Sequence, residues 1–79
     1  MSRPARNLNR AFGEALRVLR TEAGLSQEAL GHESDLHRTY ISMLERGEKS
    51  PSLDSIVALA EALGVRPHEL VKAAEESRR

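Results

Sequence analysis

Residues 27–46 read QEALGHESDLHRTYISMLER, and the reading of this stretch decides the fold. Two helical patterns, Gln27 to Ser34 and Arg38 to Glu45, are separated by a break at Asp35 and Leu36 that is too short for a loop. Helices joined by a turn of about three to four residues must cross steeply. Small Gly31 suits the place where the first of them lies against the second, and a larger side chain there would push them apart. Leu30, Leu36, Ile41 and Leu44 point inward from both sides of the turn. Asp35 falls where the chain calls for a positive φ, which Asp tolerates better than most residues. Gly47 then closes the second helix.

The pattern extends in both directions. Upstream, Leu8, Phe12, Leu16, Leu19 and Ala23 recur at helical spacing as one buried stripe, and Gly24 ends that helix. Ser26 is a good N-cap for the helix that opens at Gln27, with Glu28 in its first turn favoured by the helix dipole. Residues 1–7, with Pro4 and Asn7, read as a flexible basic arm. Downstream, Glu48 to Pro51 make a polar turn, and Ser52 caps a helix expected to bury Leu53, Ile56, Leu59, Ala60 and Leu63 before Gly64. Pro67 suits the first position of a last helix running through Leu70, Val71 and Ala74, with residues 76–79 as a frayed tail. No strand alternation competes. The expected architecture is all-α, a compact five-helix bundle forming one domain over residues 8–75.

Composition narrows the function. The chain has 79 residues, of which 39% are apolar, with Phe12 and Tyr40 the aromatic ones. A chain this short buries only about 60% of its unfolded surface, so association of copies is an ordinary remedy for a thin core. There is no cysteine, which excludes disulfides, thiolate metal sites and thiol nucleophiles. His32, His37 and His68 have no metal-ligand spacing, the five glycines are scattered rather than gathered in a phosphate loop, and no serine pairs with a His–Asp arrangement. An enzyme is not expected, nor a metal or other cofactor. No apolar run approaches the about 18 residues that span a bilayer, and residues 1–10 lack the hydrophobic segment of a signal peptide. The expectation is a soluble cytoplasmic protein with no membrane partner. Its net charge is zero, yet residues 1–20 carry +4 and residues 21–37 carry −4. Folding can therefore gather a basic face from a neutral chain.

At these spacings the segments LRVLRTEAGLSQEAL (residues 16–30), RTYISMLERGEKSPSLDSIVALAEALGV (residues 38–65) and RPHEL (residues 66–70) resemble the Cro/phage-repressor (XRE-type) family of helix-turn-helix regulators. The resemblance covers residues 8–75. RTYIS followed by ERG is similar to the small controller proteins of restriction–modification systems. Two positions depart from the family pattern: Asp35 stands where Gly is commonest, and His37 holds a capping position that usually carries Ser, Thr or Asp.

The resemblance implies a transcription regulator, a repressor or controller protein, that sets its third helix in the major groove of double-stranded DNA. Arg38 can offer a bidentate fork to guanine, Thr39 a methyl or hydroxyl to a base or phosphate, and Ser42 and Met43 further contacts. His37 stands beside them at the helix start. Gln27, Tyr40, Arg46 and Lys49 are candidate phosphate anchors, and Arg3 and Arg6 can follow the backbone or enter a minor groove. Arg20 and Glu45 occupy the positions that the family pairs in a structural salt bridge. One such module covers too few base pairs for selectivity, which implies a homodimer on an inverted repeat, with Val65, Leu70, Val71 and Ala74 as candidate interface residues. A DNA-binding antitoxin or a protein-interaction module contacting transcription machinery stays open as the alternative, as does contact of Glu28, Glu33 and Asp35 with RNA polymerase.

Overall fold

Local chemistry sets the ends of the helices. The computed structural model describes residues 3–78, with side chains from residue 7 onward. Its elements are α1 (Arg3–Glu22), α2 (Gln27–Ser34), α3 (Arg38–Glu45), α4 (Leu53–Leu63) and α5 (Pro67–Ser77), with no strand among the described residues. Ser26 and Ser52 each turn a side-chain oxygen onto a first-turn amide, that of Ala29 and of Ser55, satisfying donors that have no partner within the helix. Asp35, at φ 59° and ψ 34°, closes α2 in the left-handed region. His37 caps α3 through its imidazole, Nδ1 accepting from the Thr39 amide at 3.0 Å. Because Nδ1 supplies the lone pair, the N–H of the neutral ring lies on Nε2.

Close packing of two backbones explains two glycines. A Cβ on Gly31 would stand 2.7 Å from the Leu36 carbonyl oxygen, and one on Gly13 would stand 2.4 Å from that of Leu44. The first lets α2 and α3 cross tightly over their turn; the second lets α1 lie directly on the end of α3. Around these crossings Phe12, Leu16, Leu30, Ile41, Leu44, Leu59 and Leu70 form one buried cluster. Burial of this apolar area is the main force holding five short helices together.

Four sequence expectations change. The backbone expected as an arm is helical from Arg3, because Pro4 in the first turn lacks only an amide hydrogen that would have no helical partner. The side chains of Arg3 and Arg6, with Met1 and Ser2, lie outside the described residues. At the other end α5 continues through Ser77 rather than fraying at Glu76. The α1 stripe is not wholly buried, since Leu8 is 43% exposed and Ala23 is exposed. In α4 the buried face is Ser55, Leu59 and Ala60, while Leu53 is 82% exposed. Ser55 turns inward because its hydroxyl meets those of Tyr40 and Ser52, at 3.0 and 2.9 Å. Leu53 is exposed because it opens the helix, two turns before buried Ala60 on the same side.

Candidate nucleic-acid interface

Burial of Ile41 and Leu44 fixes which side of α3 faces outward. Arg38, Ser42 and Arg46 are spaced four apart, so they follow one ridge of the helix and its C-cap, with Thr39 and Met43 on the next. Arg38 and Thr39 are exposed, as is His37 at the cap, while Ser42 and Met43 are half-buried. Arg38 makes no ion pair among the described residues. The α3 helix thus presents one unpaired cation, two hydroxyls and one thioether on a convex surface. That shape and chemistry suit the major groove, which admits an α-helix and displays a distinct donor and acceptor pattern for each base pair.

The helix is held at its C-terminal end by a charged cluster. Arg20 Nε donates to Glu45 Oε2 at 2.6 Å and Arg20 Nη2 to Glu45 Oε1 at 3.0 Å. The third guanidinium nitrogen donates to the Leu25 carbonyl at 2.8 Å. Gln27 Nε2 adds a bond to Glu45 Oε1 at 3.0 Å. One carboxylate therefore ties α1 and α2 to the last turn of α3, while its arginine partner also holds the α1–α2 connection at Leu25. The hydrogen bond that Arg20 donates to the Glu45 carboxylate holds the guanidinium above its already high ordinary pKa, against the opposing effect of burial. A bidentate fork of this kind fixes angle as well as distance.

The other candidate contacts divide by what already holds them. Gln27 is half-buried and gives its side-chain N–H to Glu45, so only its remaining amide atoms and the free backbone N–H groups of the first turn of α2 face outward. Tyr40 is half-buried, its hydroxyl paired with that of Ser55 in α4. Lys49 is exposed in the turn after α3, and the neighbouring Ser50 hydroxyl donates to Asn9 Oδ1 at 2.7 Å, tying that turn to α1. Arg46 is exposed but engaged: Nε donates to Glu48 Oε2 at 2.7 Å, Nη2 to Glu48 Oε1 at 3.1 Å, and Nη1 to the Ser42 hydroxyl. Sequence reasoning missed Glu48 altogether. Its only signal was a carboxylate two residues beyond an arginine in a polar turn.

The apolar candidates need correction. Leu70 and Ala74 are buried in the core, at 0% and 2% exposure, because α5 packs that face against α1 and α4. Val65 is half-buried against the same cluster. Only Val71 of that set is well exposed; among the described residues Leu8, Val18, Leu53 and Val57 are the other large apolar side chains that are exposed.

The family model described as helix-turn-helix matches residues 16–70. Control protein C.BamHI of Bacillus amyloliquefaciens is 47% identical over 66 residues, covering 82% of this chain and 82% of that protein. The HTH-type transcriptional regulator y4dJ of Sinorhizobium fredii is 37% identical over 71 residues, covering 90% of this chain and 92% of its own length. Among solved structures, the restriction-modification controller protein C.AhdI from Aeromonas hydrophila superposes with a TM-score of 0.77 at 48% identity, covering 78% of this chain and 94% of that one.

Proposed function

Because the chain belongs to the helix-turn-helix family, we propose that it is a sequence-specific DNA-binding transcription regulator of the controller type, laying α3 in the major groove. The observation that carries this reading is the division of α3. Its last turn is locked to α1 and α2 through Glu45, and its earlier turns offer exposed Arg38 and Thr39 and half-buried Ser42 to a partner. A rigid helix with an unpaired arginine near its start can place a guanidinium against guanine O6 and N7, a contact that discriminates by roughly 1–3 kcal/mol. Lys49 then contributes a sequence-independent phosphate contact.

Selectivity calls for a homodimer, whose two α3 helices would sit about 34 Å apart on an inverted repeat. Val71 and the exposed residues Leu53 and Val57, one turn apart on α4, support that assembly better than buried Leu70 and Ala74 do. Substituting Leu53→Glu tests the surface: sedimentation should shift from dimer to monomer while helicity is retained.

Selection of bound duplexes from a random pool, followed by affinity measurements across salt, tests the function. The expected result is an enriched inverted repeat and a steep fall in affinity as salt rises. Arg38→Ala should relax preference at one base position, and Lys49→Ala should weaken all sequences alike. Failure of the wild-type chain to enrich any sequence overturns the reading.

A further inference from the structure

Ser42 stands at the middle of the outward ridge of α3, one turn beyond Arg38 and one turn before Arg46. Arginine has donors only, so in its contact with Ser42 the serine oxygen is necessarily the acceptor. The hydroxyl hydrogen is left over, and no acceptor among the described residues receives it. Ser34 makes the contrast, since its hydroxyl donates to the Leu30 carbonyl at 2.7 Å in the ordinary back-bond of a helical serine. Ser42 makes no such bond. Arg46 is itself held from the far side by both oxygens of Glu48, at 2.7 and 3.1 Å.

We propose that Glu48 and Arg46 are positioning residues which make Ser42 a hydrogen-bond donor toward the base edges, so that Arg46 reads sequence through Ser42 rather than anchoring a phosphate. This rests on the reading that α3 occupies the major groove. A free serine hydroxyl can donate or accept and therefore discriminates poorly among bases. Here a guanidinium N–H fills one lone pair, and its positive charge opposes any further donor approaching the oxygen. The remaining O–H suits guanine N7 or O6, adenine N7 or thymine O4, all of them acceptors, and the cytosine N4 amine is refused. The carboxylate of Glu48 keeps the guanidinium on Ser42 and off the phosphates.

Binding-site selection with the full chain and its variants tests the assignment. Ser42→Ala should flatten preference at one position of each half-site, by about fivefold for a single hydrogen bond. Arg46→Ala and Glu48→Ala should flatten that same position and admit cytosine there, with the salt dependence of affinity unchanged. Arg46→Lys keeps the charge but cannot span Glu48 and Ser42 together, so it should behave as Arg46→Ala does. Circular dichroism checks that each variant folds. A uniform loss for Arg46→Ala, with the salt slope reduced by about one, makes Arg46 a phosphate anchor and overturns the proposal. A uniform gain for Glu48→Ala, with a steeper slope, overturns it too. If wild type selects no sequence, the DNA-reading premise itself has failed, which is distinct from selection with an unchanged profile in the variants.

Discussion

Glu45 and Arg46 are neighbours in the chain, yet each belongs to a different arginine–carboxylate pair. Arg20–Glu45 closes at 2.6 Å with side chains 11% and 5% exposed, whereas Arg46–Glu48 closes at 2.7 Å with side chains 54% and 53% exposed. Distance and chemistry are nearly the same, and surroundings make them different devices. The inner pair is shielded from water, and its spare donors and acceptors are met by Leu25 and Gln27. Removing one partner there strands the other in a poor solvent. The outer pair stands in water, where screening and side-chain entropy reduce its contribution to stability to nearly nothing. A pair that does little for stability is available for recognition, and the difference separates what aims α3 from what α3 presents.

Substituting Glu45→Ala should break the inner side most severely. It removes both oxygens that hold Arg20 and the acceptor of Gln27, leaving a largely buried guanidinium with only the Leu25 carbonyl. A loss of about 3 kcal/mol is expected, which in a domain this small lowers the melting temperature on the order of 15 °C. DNA affinity should fall with it, since the angle of α3 is no longer defined. Thermal melts and gel-shift titrations of the same preparation check both. Lost binding with an unchanged melting temperature would move Glu45 to the recognition side.

Gly13→Ala sharpens the same contrast without touching a charge. The added methyl would stand 2.4 Å from the Leu44 carbonyl oxygen and 2.6 Å from that of Glu45. These are backbone atoms, so α1 and α3 must separate, with a destabilisation of about 2 kcal/mol in a thermal or urea melt. A smaller effect follows for Glu48→Gln, whose melting curve should overlay that of wild type. A clear drop in that curve would show the outer pair to be structural and erase the distinction.

The helices and caps were legible because short-range rules govern them. Ser26, Ser52, Asp35 and Gly64 act within one turn of themselves, and residue type alone announces what each does. Gly31 was legible for a related reason, since it lies five residues from the backbone it admits. What escaped depends on how separate helices meet. Gly13 looks like an unremarkable glycine until α3 is laid across it. Leu53 continues the apolar period of α4 yet is exposed, because it opens that helix two turns before buried Ala60, and only the packed structure shows how far along α4 its neighbours reach. Val65, Leu70 and Ala74 read as surplus apolar residues only while α5 has no neighbour. Of the candidate contacts, Arg38, Thr39 and Lys49 are exposed, and exposure is what the motif alone could suggest for them. Gln27, Tyr40, Ser42 and Arg46 could not be fully read, because each is already held by another side chain.

Acid gives the finest test of the two pairs. Hydrogen bonds from Arg46, opposed by desolvation and helped by its charge, hold the Glu48 carboxyl below its ordinary value of about 4.5. A carboxyl whose pKa is lower folded than unfolded stabilises the fold above its unfolded pKa, and that contribution disappears as pH falls through the lowered folded value. The outer pair should therefore stay closed from neutrality down to about pH 4.5 and open below it. The inner arginine has the opposite sign. Its raised pKa gives a contribution that is full throughout this range and is lost only as strongly alkaline pH passes through the raised value. Carbon-detected NMR can follow the Glu48 carboxyl while the Nε–H resonances of Arg46 and Arg20 are tracked through the same titration. The Arg46 signal should move with Glu48, at a midpoint below the ordinary carboxylate value. A Glu48 midpoint at or above that value would mean that the guanidinium is not held on Glu48 in solution, and the orientation of Ser42 would lose its support.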